Sequence, residues 1–187
     1  MKKQKLKFQE QKPEADLLKL DLGAGKGANT PEGFTPVDLI KWKGVKVVDL
    51  RKRWPWKANS VDEVRCHYVV HYLTPKERMH FANELHRVLK VGAKAQIVTP
   101  HWCAAKAYGD VLAQYPPVSE SWYGYLMKPW REQQNYVDQS EYTCNFDIGI
   151  GYGMHPSILT RHEEFQINAL TYYKEAAQDL IATITKI

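Results

Sequence analysis

The sequence predicts an α/β domain built on a mostly parallel sheet. Short apolar runs between residues 17 and 100 stop at glycine, turn residues or proline, as buried strands do. A glycine-rich loop at residues 23–27 directly follows the first run. One amphipathic helix then separates two later strands, and this is the crossover arrangement of parallel sheets.

The strand candidates are short and bounded by turn residues. Before residue 100 they are 17–22 (LLKLDL), 37–39, 45–50 (VKVVDL), 61–68 and 95–99 (AQIVT). Nearer the C-terminus, residues 142–151 and the β-branched segment 180–187 also predict strands.

Two helices are predicted, at residues 75–89 and 164–177. In the first, Thr74 is a good N-cap, Pro75 suits the first helical position and Glu77 completes a capping box. Its apolar side chains recur at helical spacing, at Met79, Ala82, Leu85, Val88 and Leu89.

The chain has 187 residues and a net charge of +5, of which residues 1–13 contribute +4. We therefore interpret 1–13 as a basic mobile tail, which by itself attracts anions without specificity. Residues 14–187 are expected to form a single domain, with an aromatic-rich insertion at 102–142.

The composition favours a soluble, cytoplasmic protein. No apolar run approaches the ~18–20 residues of a membrane span, and the first residues lack the apolar centre of a signal peptide. The three cysteines are few, odd in number and widely spaced, as expected of reduced thiols. We expect no membrane partner.

The segment 21–27 (DLGAGKG), at the end of the first strand, is the strongest indication of a ligand-binding site. Glycines there let the backbone turn sharply and approach a ligand closely. Asp38 ends the next strand, where a carboxylate can accept hydrogen bonds from both hydroxyls of a ribose. The pattern therefore predicts a nucleoside ligand beyond the carboxyl ends of the strands.

Residues 15–103 resemble the class I S-adenosylmethionine-dependent methyltransferases, specifically the type 11 group. The resemblance rests on KLDLGAGKG (19–27), TPVDL (35–39), VVDLRKRWPWKANSVDEVRCHYVVHYL (47–73) and NELHRVLKVGAKAQIVTPH (83–101). It implies a Rossmann-like sheet, mostly parallel with an antiparallel last strand, and helices on both faces. It also implies S-adenosylmethionine as cofactor and S-adenosylhomocysteine as product.

By this resemblance, Gly23 and Gly25 would pass under the methionine part of the cofactor and Asp38 would bind the ribose. Asp49 and Leu50 would border the adenine, and His67 would lie near the methyl donor. The full set of cofactor-binding candidates is Asp21, Gly23, Gly25, Asp38, Leu39, Asp49, Leu50 and His67.

The sequence also departs from the family pattern. The gap from Gly27 to Asp38 is too short for the usual crossover helix, so that helix must be truncated or irregular. His67-Tyr68 stands where amino methyltransferases acting on DNA bases carry N-P-P-Y or D-P-P-Y, which argues against a standard DNA adenine methyltransferase.

The catalytic candidates are His101, His67 and Tyr68, needed as a base only if the acceptor must lose a proton. His101 is the best of them, because imidazole titrates near neutral pH. Trp102 and Tyr108 are expected to join these residues in an acceptor pocket, although the insertion could equally form a second small core. The spacings Cys66-His67 and His101-x-Cys103 match no standard zinc pattern, so no metal is expected.

The favoured function is methyl transfer to a small-molecule acceptor, with nucleic acid as a possible but less favoured partner. One alternative is a nicotinamide-dependent oxidoreductase, although the loop lacks the spacing of that family. Another is a regulatory protein that binds the cofactor without transferring its methyl group. A third is a nucleic-acid-binding module that uses the lysine-rich tail.

Overall fold

A seven-stranded sheet forms the centre of the protein, in the order β3-β2-β1-β4-β5-β7-β6. The computed structural model describes residues 17–136 and 141–187, so the predicted tail at 1–13 lies outside the described residues. The strands are β1 (Lys19–Leu22), β2 (Phe34–Asp38), β3 (Lys46–Val47), β4 (Val61–His67), β5 (Leu89–Pro100), β6 (Phe146–Met154) and β7 (Ala177–Lys186).

Five strands run parallel, and β7 is antiparallel to both of its neighbours, β5 and β6. This confirms the predicted Rossmann-like sheet with an antiparallel last strand. Leu22 at the end of β1 lies opposite Val37 of β2 and Cys66 of β4. The carboxyl ends of these strands therefore meet at one edge, where open α/β sheets bind their ligands.

The longest helix, α1 (Pro75–Val88), begins at the predicted capping box. The Thr74 amide donates to Glu77 Oε2 at 2.8 Å, and the Glu77 amide donates to Thr74 Oγ1 at 3.4 Å. The other helices are α2 (Lys106–Gly109), α3 (Glu120–Gly124), α4 (Lys128–Gln133), α5 (Pro156–Leu159) and α6 (Glu163–Tyr172). The last of these is the helix predicted at 164–177, and it ends earlier than predicted, at Tyr172.

The link between β1 and β2 contains turns and no helix, as the short gap predicted. The strand predicted at 45–50 was wrong beyond Val47, because only Lys46 and Val47 pair with β2. The Val48 amide still donates to the carbonyl oxygen of Asp38 at 2.9 Å, but the side chains of Val48 and Leu50 join the core, where each residue is 8% exposed. Burial of these two side chains outweighs continued pairing at the edge of the sheet.

The two faces of the central strands differ in character. Leu20, Leu22, Val64 and Cys66 point into the core together with the apolar side of α1. Successive side chains of a strand point to opposite faces, so the alternate residues lie on the other side of the sheet. These residues are polar and pair across neighbouring strands. The pairs are Lys19–Glu63 at 3.3 Å, Arg65–Asp21 at 2.8 Å and His67–Gln96 at 2.8 Å.

Two buried arginines order the segment after β5, one from α1 and one from the segment itself. Arg78 of α1 donates to the carbonyl oxygens of Gln114 and Pro116, at 2.9 and 2.6 Å. Arg131 donates to those of Tyr125 and Cys144, at 2.6 and 2.9 Å. Four aromatic rings of this segment pack on one another with centroids 5.0–6.0 Å apart, namely Tyr125, Trp130, Tyr136 and Tyr142. These rings form a second small cluster.

Within the described residues, no helix is long and apolar enough to cross a membrane.

The Arg65–Asp21 pair yields a stability prediction. Arg65→Met should lower the free energy of unfolding by about 3 kcal/mol, because it leaves the carboxylate of Asp21, 2% exposed, without its cation. Glu63→Gln is the matched control on the same strand and face, and it should cost less than about 1 kcal/mol as a largely solvated pair. Urea unfolding measures both. Equal, small losses in the two variants would contradict a structural role for Arg65.

Candidate functional site

The glycine loop turns directly at the end of β1. The amides of Gly23 and Ala24 both donate to the carbonyl oxygen of Val37, at 2.8 and 3.0 Å. Gly23 has a φ of +75°, and a Cβ built on it would lie 2.0 Å from Cγ2 of Val69. Only glycine fits this position, because both the backbone conformation and the approach of Val69 exclude a side chain.

The carboxylate of Asp38 closes the turn from the next strand. Its Oδ2 accepts from the Gly25 amide at 2.8 Å, and its Oδ1 accepts from the Ile40 amide at 2.9 Å. A carboxylate offers about four acceptor positions, so roughly two remain open after these bonds. Asp38 is therefore fixed in place while it keeps the capacity to accept from a neighbouring diol.

A cavity of about 260 Å³ opens beside Asp38 at the carboxyl edge of the sheet. It brings together five of the predicted cofactor residues: Gly23, Asp38, Leu39, Asp49 and Leu50. Its other lining residues are Val48, Arg51, Tyr68, Val69, Tyr72 and Leu73. The cavity thus joins one ordered carboxylate to largely apolar walls, the composition expected for a nucleoside with a flat base.

The side chain of Arg51 donates two hydrogen bonds to the carboxylate of Asp49. Arg51 Nε lies 2.8 Å from Oδ1, and Nη2 lies 3.1 Å from Oδ2. These hydrogen bonds lower the pKa of Asp49 below its usual range. The carboxylate is therefore charged at neutral pH, and it holds the arginine against the cavity wall.

A second cavity of about 220 Å³ adjoins the first and shares Gly23 and Tyr68 with it. It contains the predicted residues Asp21 and His67, and its other lining residues are Ala24, Asn29 and Arg65. Together the two cavities reach the range of roughly 300–1,000 Å³ that is typical of small-molecule sites. Gly25 lines neither cavity and acts through its bond to Asp38.

These residues fit the parts of S-adenosylmethionine. Asp38 has open acceptor positions for the ribose hydroxyls, and the side chains of Leu39, Val48 and Leu50 offer an apolar wall for adenine. The second cavity supplies the side-chain amide of Asn29, which can donate to a carboxylate and accept from an ammonium group at the amino-acid end of the cofactor.

His67 faces the second cavity from the end of β4. Its Nε2 lies 2.8 Å from Oε1 of Gln96, within hydrogen-bond distance. Burial lowers the pKa of His67. The ring is therefore neutral near pH 7.

His101 lies apart from both cavities. Only 3% of the residue is exposed, with Nε2 at 2.9 Å from Glu120 Oε1 and Nδ1 at 2.9 Å from Cys103 Sγ. Trp102 and Tyr108 line a different cleft, formed with Cys103 and residues 170–174. The structure therefore brings His67 and Tyr68 together and does not bring His101, Trp102 or Tyr108 to the same lining.

Several residues at the crevice were not predicted. Arg65 shares a strand face with His67, so the period-two alternation of β4 could have indicated it. Tyr72 lies in a short 3-10 turn, Val70–Tyr72, and its hydroxyl donates to Asp110 Oδ2 at 2.6 Å. Asp179 accepts from the Tyr68 hydroxyl at 3.0 Å across 111 residues of chain. No local pattern indicates such long-range pairs.

Across residues 17–136 and 141–187, no group of three or more His, Cys, Asp or Glu side chains is arranged to hold a metal ion. Cys66, Cys103 and Cys144 are free thiols. Burial raises the pKa of the Cys66 thiol and raises that of Cys144 to about 11, so both are protonated and unreactive near neutral pH.

Comparison with known proteins gives a family match and structural neighbours. Residues 37–97 match a family model described as a methyltransferase domain. A search of curated proteins finds no match. An S-adenosylmethionine-dependent methyltransferase from Archaeoglobus fulgidus superposes with a TM-score of 0.63 at 17% identity, covering 92% of this chain and 87% of that one.

Two further solved structures share the fold. Geranyl diphosphate C-methyltransferase from Streptomyces coelicolor A3(2), in complex with Mg²⁺, geranyl diphosphate and S-adenosylhomocysteine, superposes with a TM-score of 0.57 at 13% identity. The match covers 92% of this chain and 74% of that one. A putative methyltransferase of Haloferax volcanii, in complex with the activator Trm112, gives a TM-score of 0.55 at 14% identity and coverages of 91% and 82%.

The structural similarities, all at low identity, establish the fold, and the family match adds a methyltransferase sequence pattern that spans Asp38, Asp49 and His67. Together they show that this chain has the fold of class I S-adenosylmethionine-dependent methyltransferases and that residues 37–97 are similar in sequence to a methyltransferase domain.

Proposed function

We propose that this protein transfers a methyl group from S-adenosylmethionine, held across the two cavities, to a small-molecule acceptor that approaches Tyr68. The observation that carries the proposal is the ordered carboxylate of Asp38, bonded to the loop amide of Gly25 and open to a ribose. S-adenosylmethionine supplies an activated methyl group on its sulfonium sulfur. The protein then has to align the acceptor and exclude water.

Charge supports a small molecule over a nucleic acid as acceptor. The cavity linings include three carboxylates, Asp21, Asp38 and Asp49, against two guanidinium groups. Both guanidinium groups are already paired, Arg65 with Asp21 and Arg51 with Asp49. Such a lining repels a phosphate backbone, whose binding depends on unpaired lysine and arginine. We also propose a cytoplasmic location, consistent with the free cysteines.

The three catalytic candidates take different roles in this proposal. Burial raises the pKa of Tyr68 to about 12, so its hydroxyl stays protonated, donates to Asp179 and forms a wall of the crevice. His67 is the neutral ring that can accept a proton near the loop. His101, with both ring nitrogens engaged, acts as a positioning residue for Glu120 and Trp102.

The cofactor half of the proposal is tested with Asp38→Asn. The variant keeps one acceptor oxygen, for the Gly25 amide, and replaces the other by an NH2 group that accepts neither from Ile40 nor from the ribose. S-adenosylhomocysteine should therefore bind about 1.5–3 kcal/mol more weakly in calorimetry. Asp147→Asn, at an exposed carboxylate on β6, is the control and should bind as the wild type does.

S-adenosylhomocysteine should also raise the melting temperature of the wild type, and NADH should not. No binding of S-adenosylhomocysteine at about millimolar concentration would overturn the proposed function. Unchanged affinity in a folded Asp38→Asn variant would place the nucleoside elsewhere.

The role of His101 gives a pH prediction. Its hydrogen bond lowers the pKa of Glu120 from 4.5 to about 2, so Glu120 contributes stability above pH 4.5 that is lost as the pH falls toward 2. Glu120→Gln should therefore lose less stability than the wild type over this range. Glu132→Gln, at an exposed glutamate of α4, should keep the wild-type slope. Urea unfolding at several pH values measures the slopes, and identical slopes for wild type and Glu120→Gln would exclude this contact.

A further inference from the structure

We propose that the crevice mouth formed by Tyr68, Tyr72, Asp110 and Asp179 binds a cationic amine, so that the methyl acceptor is an amine nitrogen. The inference rests on the proposed function and assigns a substrate class to the same site. Four observations carry it: a strained tyrosine, an ammonium already bound by the chain itself, a second tyrosine–carboxylate pair and a buried histidine between the two tyrosines.

Tyr68, which lines both cavities, is held in an unfavourable backbone conformation. Its φ of +57° lies in the left-handed region, which is unfavourable for a residue other than glycine. The conformation is fixed by its amide, which donates to the carbonyl oxygen of Val98 at 2.8 Å. It directs the phenol to Asp179, so the strain holds an aromatic face and a carboxylate together at the mouth.

The side chain of Lys106 contacts both Asp179 and the ring of Tyr68. Its Nζ lies 2.5 Å from Asp179 Oδ1 and 5.4 Å from the centroid of the Tyr68 ring. An ammonium group is thus already bound by a carboxylate and an aromatic face, the two contacts that an alkylammonium ligand would make. The Lys106 side chain is 39% exposed on a flexible stem, so a substrate ammonium can displace it.

A second tyrosine–carboxylate pair flanks the first. The Tyr72 hydroxyl donates to Asp110 Oδ2 at 2.6 Å, and the Leu112 amide donates to Asp110 Oδ1 at 2.9 Å. Within the described ranges, Asp110 makes no ion pair with a lysine or arginine. The mouth therefore carries two carboxylates and one ammonium, and its surplus negative charge favours a cation.

The ring of His71 lies between the two tyrosines, with centroids 3.9 Å from Tyr72 and 6.4 Å from Tyr68. The residue is 6% exposed, and its buried Nδ1 has no hydrogen-bond partner among the residues that the structure describes. Burial lowers the pKa of His71 to about 4, so the ring is neutral near pH 7 and adds no positive charge that would oppose a bound ammonium.

Transfer to this nitrogen balances without a further reactant. The bound ammonium loses one proton to water at the open mouth, and its freed lone pair bonds to the donor methyl carbon. The electron pair of the carbon–sulfur bond goes to sulfur, which leaves a neutral thioether and a protonated methylamine. Tyr68 and Tyr72, each about two-fifths exposed, leave the mouth accessible to water for this proton.

Binding of benzyltrimethylammonium tests the inference without turnover, because a quaternary nitrogen cannot accept a methyl group. Calorimetry on the full chain saturated with S-adenosylhomocysteine should show binding of this cation and none of phenylacetate, its anionic counterpart. Asp179→Asn should weaken cation binding by roughly tenfold or more, because it removes the charge and keeps the shape. Lys106→Met should strengthen it, because the competing ammonium is gone. Asp147→Asn should leave it unchanged.

The outcomes separate this inference from the proposed function. If S-adenosylhomocysteine binds but the cation binds neither the wild type nor Lys106→Met, the amine site is wrong and the proposed function stands. If phenylacetate binds and Lys106→Met abolishes its binding, the mouth recognises an anion and the inference is overturned. Failure of S-adenosylhomocysteine itself to bind overturns the proposed function.

Discussion

The buried carboxylate of Asp21 holds the site to the sheet. It accepts from Arg65 Nη1 of the neighbouring strand at 2.8 Å and from Thr30 Oγ1, near the end of the β1–β2 link, at 2.7 Å. In most sheets of this kind a crossover helix would anchor such a link by apolar packing. Here no helix connects β1 and β2, and the side-chain hydrogen bonds that hold the link go to two carboxylates, from Thr30 to Asp21 and from the Gly25 amide to Asp38. The position of the glycine loop therefore depends on electrostatics within the sheet.

This arrangement explains the polar face of the central strands. Parallel strands are usually apolar on both sides, because helices cover both faces. In this protein one face of β1 and β4 carries Lys19, Asp21, Glu63 and Arg65 in cross-strand pairs. Buried or half-buried charges are tolerated when each is paired. The pair of Arg65 and Asp21 on this face also lines the second cavity, and it gives that cavity its polar character.

The sequence predicted the parts of the fold that follow from local patterns. Apolar runs located six of the seven strands to within a few residues, and β5 proved seven residues longer than its apolar run. Thr74 and Glu77 predicted the start of α1, because a capping box is a contact between near neighbours. The strand at 45–50 was overestimated, since β-branched residues favour both a strand and a core, and only the tertiary structure decides between them.

The same distinction divides the candidate site. Its cofactor half is built from strand ends and loop backbone, so Gly23, Asp38 and Leu50 could be predicted from one contiguous stretch of sequence. Its other half is assembled from the turn after β4, from α2 and from the start of β7, which meet only because β7 pairs antiparallel with β5. Contacts between residues so far apart in sequence produce no periodic pattern from which they could be predicted.

Tyr68 belongs to both halves, and this explains why its backbone strain is tolerated. A residue at the carboxyl end of β4 that followed the strand in extended conformation would not turn back toward β7. The left-handed conformation redirects the chain, and the bond from its amide to Val98 compensates part of the cost. The phenol then reaches Asp179 while the same ring closes both cavities. One strained residue thereby couples the proposed cofactor pocket, which local sequence fixes, to the proposed acceptor mouth, which long-range pairing fixes.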